Sequence, residues 1–209
     1  MAEIFQLIRA GDAAGVRALL AREPGAAADR DDEGVSALMH AAYRGDADVT
    51  DAVRSASPPR DIFEAATFGV VDDLDGDPNV YSPDGFTPLH FAAMGGHVDA
   101  ARALLEAGAD ANAMSRHRFV KVRPLHTATA LDISTGNPEI VHVLLEHGAD
   151  VNGRSDEGGF TPLHNAAGSG AAQLVRILLE RGAEPSATTD DGRTSADLAK
   201  TDEIRALLS

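Results

Sequence analysis

The apolar positions of this 209-residue chain come in short helical clusters separated by glycine-bearing polar turns. The opening stretch, "MAEIFQLIRAGD", carries Glu3 early and no uninterrupted apolar run, which predicts a short amphipathic helix and not a leader peptide. Residues 4–24, "IFQLIRAGDAAGVRALLAREP", supply two such helices. The pattern then repeats. "DGFTPLHFAAMGGHVDAARALLEAGADANA" (84–113) recurs as "GGFTPLHNAAGSGAAQLVRILLERGAEPSA" (158–187), and a longer version, "VRPLHTATALDISTGNPEIVHVLLEHGADVNG", lies between them at 122–153. The marker prolines Pro88, Pro124 and Pro162 stand 36 and 38 residues apart. Each unit reads as two helices: Thr before Pro at a first-helix start, an Ala-Ala pair for close approach, a glycine turn, and a second helix closed by Gly108, Gly148 or Gly182.

These features carry a resemblance to the ankyrin repeat family, whose unit is about 33 residues with a T-P-L-H-x-A signature. The resemblance implies an all-α solenoid of stacked helix-turn-helix units joined by short β-hairpin fingers. It divides the chain into an N-terminal capping repeat (1–30), a repeat at 31–56 with Ser36-Ala37-Leu38 in place of Thr-Pro-Leu, and an irregular shortened repeat at 57–80. Repeats follow at 81–113, 114–153 and 154–187, and a C-terminal cap at 188–209 with Ser195-Ala196 where Pro-Leu would be. In 61–80 the second helix is truncated, and Pro58 and Pro59 exclude helix before it, so a local irregularity in the stack is expected there.

Composition narrows the chemistry. The chain has no Cys, so disulfides and thiolate metal sites are unavailable. With 4% aromatic residues and no Trp, the core must be built from small and aliphatic side chains. A net charge of −15 argues against nucleic acid and anionic membranes as partners, and no window reaches the length of a membrane span, so the expected setting is cytoplasmic. Sixteen Arg against two Lys, with abundant Ala and Gly, is a composition expected of a GC-rich, bacterial genome.

No residue pattern supports catalysis. His90, His126 and His164 occupy the T-P-L-H position, His97 sits at the inter-helix turn, and His40 lies one residue out of register. For these five the resemblance implies structural roles, with the T-P-L-H imidazoles bonding between adjacent repeats. His142 and His147 are badly spaced for one metal, and no HExxH, G-x-S-x-G or phosphate loop is present. The acidic run Asp72, Asp73, Asp75, Asp77 lacks the spacing of a calcium loop and reads as a solvated face able to steer a basic partner.

What remains is a contact surface. The resemblance implies a non-catalytic, monomeric, cofactor-free protein that binds another protein through the groove formed by first-helix ends and fingers. Mapped onto this chain, the helix-end candidates are Tyr43, Arg44, Phe68 and Met94, and the finger candidates are Tyr81, Phe86, Met114 and Phe160. The third regular unit carries two insertions, in its finger and at 129–135. The lengthened finger, "SRHRFVKV", is the one strongly basic element and presents Arg116, Arg118, Phe119 and Lys121, with 118–122 able to form a longer hairpin arm. The competing reading is a small enzyme or ligand-binding protein whose pocket is enclosed by 55–80 and 129–135.

Overall fold

The computed structural model describes residues 2–58, 61–118, 121–130 and 138–209. Helices come in pairs: α1 (Glu3–Ala10) and α2 (Ala13–Arg22), then α3 (Ala37–Arg44) and α4 (Ala47–Ala56). A single helix, α5 (Ile62–Phe68), follows, and pairing resumes with α6 (Pro88–Gly95) and α7 (Val98–Glu106). The remaining pairs are α8 (Pro124–Ala130) with α9 (Pro138–Glu146), α10 (Pro162–Ser169) with α11 (Ala172–Glu180), and the short α12 (Ser195–Leu198) with α13 (Asp202–Leu207).

First helices pack on first helices in one row, α5 on α6, α6 on α8, α8 on α10 and α10 on α12. This row is lined by Ala65, Ala66, Ala92, Ala93, Ala128, Ala166 and Ala167, all fully buried. Methyl-sized side chains let the helix backbones approach, which is why so little aromatic bulk suffices. Second helices form another row, α7 on α9, α9 on α11 and α11 on α13, with α2 on α4 as a separate piece. Between those pieces lies α5. After α5 the chain makes only a 3-10 turn, Val71–Asp73, where a second helix stands in the neighbouring units.

The chain ends of the helices are set by local chemistry. Thr87 and Thr161 lie at N-caps, with Pro88 and Pro162 in the first turn where no N–H is needed. Ser36 caps α3 by accepting the Met39 N–H at 3.2 Å. Gly45, Gly69 and Gly96 close first helices at φ near +70°, a conformation that favours glycine.

The expected hairpin fingers take a different form. Among the described residues no strand is present, and β pairing is limited to two isolated antiparallel bridges, Arg30–Ser36 and Thr188–Thr194. The fingers are instead closed loops, as in Ser82 N–H to Phe86 O at 2.8 Å and Ser155 N–H to Phe160 O at 2.8 Å. Single backbone bonds tie one loop to the next, Arg116 N–H to Gly85 O at 2.7 Å and Asp190 N–H to Gly158 O at 2.9 Å. With so few residues per arm, turn bonds use the backbone groups that a ladder would need. The base of the 115–122 finger is closed by Ser115 N–H to Val122 O at 2.8 Å, while Phe119 and most of the inserted 129–135 segment lie outside the described residues.

Candidate functional site

Inter-unit hydrogen bonds position the surface. At His90 and His164 the ring Nδ1 accepts the N–H of Thr87 or Thr161, at 3.3 and 3.1 Å, and meets the same threonine's hydroxyl at 2.7 and 2.8 Å. An Nδ1 that accepts leaves the proton on Nε2, which donates to the next unit: to Val122 O at 2.9 Å and Arg193 O at 3.1 Å. His126 Nε2 reaches Phe160 O at 3.0 Å. Burial drives all three imidazoles below the ordinary histidine value, His90 to about 4. These rings are neutral fasteners. His97, at the N-cap of α7, bonds Thr67 O of α5 at 2.9 Å, whereas His40 of α3 pairs with Asp31 in the preceding loop at 2.7 Å.

A second set of fasteners was not read from the sequence. The Asn79 side-chain amide donates to Gly108 O at 2.9 Å and accepts the Asp110 N–H at 2.8 Å. Asn112 does the same with Gly148 and Asp150, and Asn152 with Gly182 and Glu184. Asp77, assigned above to a solvated acidic face, accepts the Asn79 N–H at 2.9 Å, as Asp110 and Asp150 do for their own asparagines. The signal was present in the recurring Asp-x-Asn at 77–79, 110–112 and 150–152.

Of the candidate contact residues, three come together. Tyr43 at the end of α3, Phe68 at the end of α5 and Met94 near the end of α6 line one cleft of about 500 Å³. Thr67 and Phe91 add to it, and α4 contributes Ala47, Thr50, Asp51 and Arg54. Tyr43 is 45% exposed and Met94 39%, high values for large apolar side chains. The Tyr43 hydroxyl donates to Asp84 of the following finger, reaching across the whole 57–80 segment. Desolvation first, and this bond to a carboxylate second, push the phenol above its ordinary value. Arg54, which sequence reasoning missed, lies 5.7 Å over the Phe68 ring and pairs with Asp51 at 2.8 Å. Arg44 turns away from the cleft, bonding Arg9 O at 2.7 Å.

The finger candidates form a separate group. Arg116 lies 3.7 Å over the Tyr81 ring, whose hydroxyl donates to Met114 O at 3.1 Å. Phe86 stacks on His117 with centroids 5.3 Å apart and meets Phe91 edge-on, so much of its surface serves packing between units. Lys121 pairs with Asp156 at 3.6 Å, Arg118 is exposed, and Phe160 sits farther along beside His164. The cleft takes Thr67 and Phe68 from the irregular segment and its other walls from α3, α4 and α6. Its charged lining residues, Asp51 and Arg54, pair with each other.

Among the described residues no group of acidic or histidine side chains is placed to hold a metal, and no helix is long and apolar enough to cross a membrane.

Comparison with known proteins agrees with the repeat pattern. Residues 62–155 match a model of ankyrin repeats (three copies), and residues 144–199 match a second model of ankyrin repeats (many copies). Seventy-four residues, 35% of the chain, are 42% identical to an E3 ubiquitin-protein ligase, KEG, of Arabidopsis thaliana. A stretch of 107 residues, 47% of the chain, is 39% identical to ankyrin repeat and SAM domain-containing protein 6 of Rattus norvegicus and of Mus musculus. The matched segments span 4% of the plant protein and 11% of the rodent ones. These relatives are eukaryotic, so they lend nothing to the bacterial source suggested by composition.

Proposed function

This chain is an ankyrin repeat protein, and from that premise we propose that it is a non-catalytic adaptor, inhibitor or regulator that binds a partner protein through first-helix ends and fingers. Ankyrin repeats are protein-interaction modules. The observation that carries the reading to particular residues is the convergence of Tyr43, Phe68 and Met94 on one cleft with partly exposed apolar surface. A stacked scaffold holds such side chains in place before binding, so little conformational entropy is lost on association. Tyr and Arg are favoured interface anchors, and Met adapts to irregular apolar surfaces. Arg44 and the finger residues Tyr81, Phe86, Met114, Arg116, Arg118, Phe119, Lys121 and Phe160 serve in this reading as further contacts apart from that cleft. A monomer acting in the cytoplasm without a cofactor, organised in the seven units given above, completes it.

The test is capture of the partner from the native host, identified by mass spectrometry, with wild-type chain and with the Y43A/F68A/M94A variant as baits. The wild-type bait should retain a protein that the variant loses. Phe68 packs against the N-terminal cluster and Tyr43 bonds Asp84, so the variant's melting curve must show it folded at the capture temperature before its losses are read. Equal capture by both baits would overturn the assignment of the cleft.

A further inference from the structure

The interruption in the row of second helices leaves a specific vacancy. α4 packs on α2 and α3, but the 3-10 turn Val71–Asp73 packs on α5 and α7 and gives α4 no comparable neighbour on its other flank. That flank is Ala47, Thr50, Asp51 and Arg54, the i, i+3, i+4, i+7 stripe of one helix face, and it forms a wall of the cleft. Aligned on the turn glycines Gly45 and Gly96, Ala47, Thr50 and Arg54 stand where α7 carries Val98, Ala101 and Leu105. The α4 flank is therefore built from small and polar residues that tolerate water yet leave room for close approach. The three large hydrophobic side chains most exposed among the described residues are Tyr43, Val71 and Met94. Two of these line the cleft, and Val71 lies in the turn that replaces the helix.

We propose that this vacancy receives an α-helix from a partner protein, amphipathic and basic on its polar face, which takes the place that a second helix holds in neighbouring units. Its apolar stripe packs on Tyr43, Phe68 and Met94, and its cationic side chains meet the acids on either side. Those acids are Asp48 on α4, Asp72 and Asp73 on the turn, and Asp75 just beyond it, all exposed. The one cation of the lining, Arg54, is already held by Asp51 and the Phe68 ring. Within a chain of net charge −15 this favours a basic occupant over an acidic one. Helix-in-groove docking also explains why the exposed apolar side chains project from helix ends around a vacancy and not from a flat face. The proposal rests on the protein-binding reading and specifies the chemistry of the partner.

Three fluorescein-labelled 14-residue peptides test it by anisotropy. All share one leucine stripe. The first has Lys and Arg on its polar face, the second has Glu there, and the third is the basic peptide broken by a central proline. The intact basic peptide should bind at least about tenfold more tightly than either control. A47W fills the vacancy without changing net charge, at an exposed position where folding is little affected, and should weaken the basic peptide at least about tenfold. M94K, on the opposite wall, should do the same. Equal binding to wild type and A47W, or equal binding of the proline-broken peptide, would reduce the interaction to unspecific charge attraction and overturn the proposal. No binding of any peptide would overturn it as well. Either failure leaves the broader reading to be judged by capture with the Y43A/F68A/M94A bait, which uses no peptide.

Discussion

His90 and His164 accept the Thr87 and Thr161 N–H groups only as neutral rings, because protonating Nδ1 would destroy that acceptor. A histidine whose folded value lies below its unfolded value binds fewer protons when folded. Its stabilising effect is complete above the unfolded value of about 6.5 and is lost as pH falls towards the folded value. For His90, depressed by burial to about 4, the loss across that window is about 3 kcal/mol, and His126 and His164 add to it in the same direction. Urea unfolding should therefore show stability falling steeply between pH 6.5 and 4, with a flat profile from pH 7 to 8. A stability that stayed level down to pH 4.5 would mean that the rings titrate normally. The structural assignment of these residues was legible in the sequence because one motif position recurs three times. Which carbonyl each ring bonds was not, since that carbonyl lies about 30 residues away.

Helix α8 shows what a single departure from the motif does to an element. Arg123 stands where Thr87 and Thr161 cap α6 and α10. A guanidinium has donors only, so it cannot accept an N–H at the start of a helix, and it places a positive charge at the positive end of the helix dipole. Arg123 donates instead to Arg154 O at 2.5 Å in an exposed setting. R123T should therefore raise stability by about 1 kcal/mol, read as a higher urea midpoint with unchanged slope. A fall in midpoint would show that the bond to Arg154 matters more than the cap. Helix starts and turns were readable from letters because each is encoded within a few residues. The Asn79, Asn112 and Asn152 bridges and the partnership of Tyr43 with Asp84 were not, since both join residues brought close only by stacking. Arg54 was missed for a related reason: its exposure follows from the shortness of a different element, the turn at Val71–Asp73.

At the scale of the whole molecule that short element divides the core. One buried cluster gathers Ile4, Phe5, Ile8, Val16, Leu19, Leu38, Val49 and Val53 from α1 to α4, and a second runs from Ile62 to Leu208 with only Val35 and Met39 joining it from the first region. α3 meets α5 along a thin contact, and other ties among the described residues cross the junction. They include Arg30 with Asp61 at 2.6 Å, Thr67 with Met39 Sδ at 3.4 Å, and Tyr43 with Asp84. In a solenoid each unit is stabilised by its neighbours, so a thin interface uncouples the pieces on its two sides. Native-state hydrogen exchange should accordingly find α1–α4 opening at lower free energy than α6–α11. Leu38 and Leu104 are both buried, one in each cluster. L38A should destabilise only the first group of amides and L104A only the second, each by about 2–5 kcal/mol. Equal destabilisation of both groups by either variant would mean that the junction transmits folding fully. A helix docked in the vacancy would touch α4 on one side and the ends of α5 and α6 on the other. It would supply the contact that the 3-10 turn withholds, so the separation between the two groups of amides should narrow when the basic peptide is bound and stay as wide in A47W.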